Sequence, residues 1–213
     1  MIKLEPTREN IQIVAGIIKN AGSVIFPTET VYGLGVDIFN ITAIEKVYQI
    51  KNRDYSKPLA AHISSLKMVE MVSDIIPDIF YELAHIFLPG PLSLIVPAKE
   101  SLPSCVVSRT RSIAIRFPSE PVCIELINEV GSPIAATSAN ISGSIPVIDP
   151  KDISDELASM VDALIDNGAT TIQQESTIIS LVNKPFIIRE GAISIETIEG
   201  KLGKKLSVNA SDS

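Results

Sequence analysis

Lys51, Arg53 and Lys57 place three cations within seven residues, and a proline at 58 straightens the exit toward an apolar run. Such a group at the entrance to a strand suits a carboxylate or a phosphate. A solvated helix end would carry the same residues, because Lys and Arg also complement the helix dipole. Upstream, Phe26-Pro27-Thr28-Glu29-Thr30-Val31-Tyr32-Gly33-Leu34-Gly35 follows a short β-branched run. Thr28 and Thr30 put hydroxyls at alternate positions of an extended segment, where they share one face, and Gly33 and Gly35 permit turns or the close approach of a ligand. A polar turn between two strands would read the same way. Two further segments join small hydroxyls to glycines or cations: Ser138-Ala139-Asn140 with Ser142-Gly143, and Ser176-Thr177 with Arg189-Glu190-Gly191.

Arg116 lies inside the apolar run 113–117, and a charge on a buried strand needs a partner or a ligand. An internal salt bridge to a nearby carboxylate would meet that need. His62, at the end of the run after Lys57, caps a site or packs in the core, while His85 reads as a packing or surface residue. The sequence has no HxxxH, no carboxylate cluster with ligand spacing, no Ser-His-Asp context and no GxxxxGK[ST] loop. These absences argue against a zinc hydrolase, a triad hydrolase and a P-loop nucleotide site.

Residues of these types need rigid elements beneath them, and hydrophobic periodicity supplies the elements. Helices are predicted over 7–21, with Thr7 as N-cap and Gly22 as the C′ residue, and over 41–50, 65–72, 77–88, 120–130, 152–160 and 195–202. Strands are predicted over 23–26, 59–63, 92–96, 113–117, 133–136, 163–165, 176–181 and 186–189. Interleaved strands and helices imply an α/β sheet covered by helices, and the short step from 181 to 186 implies an antiparallel hairpin, so the sheet is mixed. Each chemistry-bearing segment then adjoins a buried strand, where open α/β sheets bind ligands.

The 213 residues, 46% hydrophobic and 20% charged, predict one folded domain over 1–205 with a polar tail over 206–213. A net charge of −7 and a pI near 4.9 argue against a surface that grips nucleic acid throughout, though a local basic site is compatible with both. Cys105 and Cys123 form no CxxC pair and no dense framework, so they read as reduced, structural thiols of a cytoplasmic protein. The opening residues lack a basic region followed by an apolar core, which predicts no secretory signal. The charge-free run 131–148 is too rich in Ser, Thr, Asn, Gly and Pro for a membrane span.

Taken together, PTETVYGLG, KNRDYSKPL with His62, PGPLSLIVPA, IAIRFP, SANISG, ESTI and IREGAIS stand in one order from about residue 23 to 194. This order resembles the YrdC/Sua5 family of threonylcarbamoyl-AMP synthases. With nothing after Ser213 for a linker and further domain, the chain is similar to the short YrdC form. The resemblance implies a twisted single-domain mixed sheet with helices packed on it and a deep basic cavity. It implies a reaction of L-threonine, bicarbonate or CO2, and ATP that yields threonylcarbamoyl-AMP and pyrophosphate, with Mg2+ on the phosphates. The product would serve t6A formation at position 37 of tRNA through separate transfer enzymes, with binding of tRNA or double-stranded RNA left open and no membrane involved.

Carried over by position, the resemblance implies a threonine pocket of Thr30, His62, Arg116, Ala136 and Ser176. It implies ATP-binding positions at Arg53, Lys57, Ser112, Ser138, Asn140 and Arg189, with Lys51 and Arg53 in the catalytic role and no metal held by the protein itself. The chain departs from the pattern at Thr137, Ser93, Ser180 and Pro146; Ser180 stands where an Asp is frequent and removes a charge near the adenylate site. Two alternatives remain at this stage: an RNA-binding maturation factor without chemistry, and a catalytically divergent paralogue of the same fold.

Overall fold

The computed structural model describes residues 1–207. In chain order the elements are β1 (Ile2–Leu4), α1 (Arg8–Lys19), β2 (Val24–Phe26), β3 (Gly33–Asp37), α2 (Ile41–Lys51), β4 (Ala60–His62), α3 (Asp78–Phe87), β5 (Leu92–Pro97) and β6 (Ser112–Arg116). They continue through α4 (Pro121–Val130), β7 (Ile134–Ser138), α5 (Asp155–Met160), β8 (Ala163–Ile165), β9 (Thr177–Ser180), β10 (Phe186–Arg189) and α6 (Ile195–Leu202). The strands form one sheet in the order β1-β8-β2-β3-β7-β4-β6-β5-β9-β10. It is mixed as expected: β4 runs parallel to β6 and β5 to β9, while β3 and β7, β5 and β6, and the β9–β10 hairpin are antiparallel.

Alternation of side chains divides the sheet into two unlike faces. On one, Leu34, Val36, Ala61, Leu94, Ile113, Ile115 and Ile179 form a continuous core with residues of α2, α3, α5 and α6. On the other, α1 and α4 cover only the part around β2, β8 and β7, packing Ile11, Val14, Ile18, Cys123 and Leu126 against Val24, Phe26, Ile134 and Ala163. Beyond β7, that second face presents Ala60, Ala114, Ile95 and Ile178 to a cavity. This part is the floor of the cavity described below.

Several expectations are corrected. Gly33 and Gly35 belong to an interior strand rather than a turn, and β3 pairs with β2 on one side and β7 on the other. A Cβ at Gly35 would lie 2.6 Å from Ile134 Cγ2 and 2.8 Å from Phe26 Cε1, and one at Gly33 would lie 3.0 Å from Phe26 Cζ. These glycines therefore make room for the Phe26 ring, and Gly33 also lines the cavity described below. At the end of α1 the left-handed residue is Ala21 (φ 64°), one position before the expected Gly22. Gly22 instead donates its N–H to Ile17 O, an approach that leaves no space for a side chain.

Segment 65–72 forms a 3-10 turn at Leu66–Met71, and 152–160 divides because Ser154 caps α5 by accepting from Leu157 N at 3.2 Å. Strand β1 had no alternating pattern to reveal it; it is a three-residue edge strand parallel to β8. Leu206 is buried and Ser207 bridges to Phe186, so both belong to the folded body rather than the expected tail. Positions 208–213 of that tail lie outside the described residues. Among the described residues no helix is long and apolar enough to cross a membrane.

Candidate active site

The sheet face beyond β7, the 28–33 segment and the 175–189 hairpin enclose a cavity of about 800 Å3. That volume falls in the range typical of small-molecule sites. Strand register orders its floor. Ala60 is level with Ala114 and Ala136, so small side chains occupy the middle of the floor and leave it open. One step along, His62 is level with Arg116 and Arg116 with Ser93. One step the other way, Ser112 is level with Pro97 and Ser138 with Gly33. Arg116 and Ser112 are four residues apart on β6, roughly 13 Å at about 3.3 Å per residue. The cavity thus has two ends.

At the first end Arg116 is 3% exposed and forms an ion pair with Glu29, with a second contact from Nη1 to Leu92 O at 3.4 Å. Glu29 Oε2 is buried and has no hydrogen-bond partner. Burial, with Arg116 close by, pulls the His62 imidazole down to about 3, so it is neutral at pH 7. Its Nδ1 faces Ala60 O at 3.4 Å; a carbonyl only accepts, so Nδ1 carries the proton and Nε2 is left as an acceptor. Thr28 donates its hydroxyl proton to Val31 O at 2.6 Å, which makes Thr30 the donor in the 2.9 Å contact between the two hydroxyls. Thr30 Oγ1 therefore presents lone pairs to the cavity. Ser176 and Ser93 share a 2.9 Å hydroxyl contact beside Arg116.

At the second end Arg53 donates from Nε to Lys57 O at 2.8 Å and from Nη2 to Pro58 O at 3.1 Å. Burial is the main cause of a lowered Arg53 pKa, opposed by Tyr48 and Glu175. Lys57 is exposed at the rim. Ser108 joins Ser112 at 2.7 Å and Thr110 at 2.9 Å, a small group of hydroxyls on the same wall. Ser138 points its hydroxyl to Asn140 Oδ1 at 2.5 Å.

Ten of the twelve residues expected at the site line this cavity: Thr30, Arg53, Lys57, His62, Ser112, Arg116, Ala136, Ser138, Ser176 and Arg189. Lys51 and Asn140 do not. Lys51, expected as a catalytic cation, is 1% exposed, and its ammonium donates to Ser138 O, Asn140 O and Asn140 Oδ1. Burial, with Arg53 nearby, pulls it down to about 7, yet three acceptors use all three N–H groups of the charged form. Asn140 is spent in the same way, its amide donating to Ile141 O at 3.1 Å and Ser144 O at 2.6 Å. Both hold the loop after β7 from behind. Arg189, expected with the nucleotide positions, pairs with Glu175 at 2.9 Å and donates to Ser176 O at 2.9 Å, closer to the first end.

Glu29, Glu175, Ser108 and Thr110 were not singled out in sequence. Arg116 on a buried strand called for a carboxylate, and Glu29 in the first segment answers it across 87 residues. Ser93 was noted only as a departure from the family pattern, and its register with Arg116 is what brings it to the site.

The model of the Sua5, YciO and YrdC family, described as "Telomere recombination", matches residues 16–191. The chain belongs to this family. Within the Sua5/YciO/YrdC family, a threonylcarbamoyl-AMP synthase of Pyrococcus abyssi is 36% identical over 195 residues, 91% of this chain and 57% of that protein. The synthase of Bacillus subtilis is 36% identical over 203 residues, 94% of this chain and 59% of its own. Among solved structures, P. abyssi Sua5 complexed with L-threonine is similar at a TM-score of 0.93 and 33% identity, covering 100% of this chain and 63% of that one. The chain therefore spans less than two thirds of the length of these relatives.

Proposed function

We propose that the chain is an L-threonylcarbamoyladenylate synthase, a nucleotidyltransferase acting on L-threonine, bicarbonate or CO2, and ATP. The observation that carries this reading is the two-ended floor, with Thr30, His62 and Arg116 at one end and Arg53, Lys57, Ser112 and Ser138 at the other. The named synthases and the threonine-bound relative support it. At the first end Arg116 takes the threonine carboxylate, while Thr30 Oγ1 and His62 Nε2 accept hydrogen bonds from amine and hydroxyl. His62, neutral and weakly basic, orients rather than removes a proton. The ammonium first loses a proton to solvent; the amine nitrogen then attacks CO2, shedding its second proton to solvent as the carbamate forms, or attacks bicarbonate with loss of water. A carbamate oxygen then attacks the α-phosphorus, the α–β bridging bond breaks, and pyrophosphate leaves.

Arg53 and Lys57 stabilise the charge that builds on the phosphates, and the small residues at mid-floor let the two substrates meet; catalysis here is positioning and electrostatics, without a covalent nucleophile. Glu175 is the one lining carboxylate among the described residues, and it is paired with Arg189. No cluster of three metal-ligating side chains occurs among the described residues, so Mg2+ would ride on the triphosphate rather than in a protein cage. The product would be consumed in the cytoplasm by enzymes that transfer the threonylcarbamoyl group to tRNA position 37.

Pyrophosphate release by the purified chain tests this directly. Release that requires threonine and bicarbonate together is the expected result. Release independent of threonine, or none from a folded chain, contradicts it; RNA binding that weakens steeply with salt, without turnover, would favour a binding factor instead.

A further inference from the structure

The Glu29–Arg116 pair is a feature that the reaction scheme leaves unused. A single arginine would suffice to hold a carboxylate, yet here its charge is already met by a buried carboxylate that costs desolvation of its own. Glu29 does not line the cavity, and its Oε1 lies behind the guanidinium. Among the described residues Oε2 has no donor, so the side chain's one hydrogen bond is the pair with Arg116. Its contribution to the site is its charge.

The other charged groups on the lining do not alter that balance. Glu175 and Arg189 cancel each other, and Arg53 and Lys57 stand at the far end of the floor. The remaining groups at the first end are neutral acceptors, Thr30 Oγ1 and His62 Nε2. We infer that Glu29 is a specificity-determining residue: by cancelling the charge of Arg116 it makes this end neutral overall, so that the end accepts an amino-acid zwitterion and rejects the matching amine-free anion. Without Glu29 the same arginine would draw any small carboxylate, including simple metabolic hydroxy acids. With it, the carboxylate must bring its own ammonium. The layout matches that demand, because Arg116 and His62 stand side by side on the sheet floor and Thr30 Oγ1 adds an acceptor from the 28–33 segment.

This inference rests on the first end being the amino-acid end of the proposed site. It is tested by equilibrium titration with L-threonine and with 3-hydroxybutanoate, which is threonine without its amine. The wild-type chain should prefer threonine by about 100-fold or more. Glu29→Gln keeps an oxygen to accept from Arg116 but removes the charge, and should shrink that preference at least tenfold, about 1.4 kcal/mol, through tighter binding of 3-hydroxybutanoate. Glu29→Asp should restore the preference. A wild type that binds both compounds equally overturns the inference without any variant, as does a folded Glu29→Gln chain with an unchanged ratio. A wild type that binds neither overturns the amino-acid assignment of this end, and the inference with it.

Discussion

The two ends of the cavity hold their cations in opposite ways. Arg116 is buried and charge-compensated by Glu29, with neutral acceptors around it. Arg53 and Lys57 are more accessible, and neither forms an ion pair among the described residues; Arg53 is held by backbone carbonyls alone. A carbonyl fixes a guanidinium without cancelling its charge, so the second end keeps a positive field for a polyanion. The first end offers a neutral, shaped pocket. On the proposed reading, one floor of small residues joins an environment for a zwitterion to one for a triphosphate.

Replacing Arg53 with Ala should do most damage to this contrast. Pyrophosphate release should fall roughly 100- to 1000-fold, as when one preorganised electrostatic contact is lost. Threonine affinity and the melting temperature should barely change; full activity in Arg53→Ala would remove the residue from the mechanism. Lys51→Met should unfold more easily by about 2–3 kcal/mol in urea, since Ser138 O and Asn140 O lose their buried donor. It should also weaken binding of a non-hydrolysable ATP analogue while sparing threonine, because Lys51 holds the end of β7 that carries Ser138. Equal losses for both ligands would show that Lys51 supports the whole cavity rather than one end.

Gly35→Ala disturbs the covered part of the same face. Its Cβ would press on Ile134 and Phe26, and a loss of about 1–3 kcal/mol is expected by chemical denaturation, with both ligand affinities retained. Selective loss of threonine binding would return the glycine to a ligand role. A further effect concerns pH. His62 titrates at about 3 when folded against 6.5 when free, so between those values the unfolded chain binds the extra proton. Stability should therefore fall as pH drops from 6.5 toward 3, by up to about 1.4 kcal/mol per pH unit, and His62→Gln should flatten that slope. An unchanged slope would show that the ring is already accessible to protons.

Much of this arrangement was legible in sequence, and the omissions have physical causes. Helix α1, the β9–β10 hairpin and β8 follow from periodicity, caps and turn spacing, which are local. The cations and hydroxyls were found by type and by resemblance, and most of them converge. What local pattern cannot give is depth: Lys51 and Arg53 are two residues apart, yet one is walled in by carbonyls while the other faces the cavity. Nor can it give register, which alone brings Ser93 beside Arg116 and sets His62 and Ser112 at opposite ends. The packing role of the β3 glycines was missed for a related reason. Their purpose lies in Phe26 and Ile134 on neighbouring strands, which a turn signal does not reveal.

The two-ended site is tested most directly by titrating L-threonine and a non-hydrolysable ATP analogue into two variants, His62→Gln at the first end and Lys57→Ala at the second. The account predicts that His62→Gln loses threonine affinity at least tenfold with the nucleotide analogue unaffected, and that Lys57→Ala does the reverse. Parallel losses of both ligands in both variants, or the opposite pairing, would contradict it.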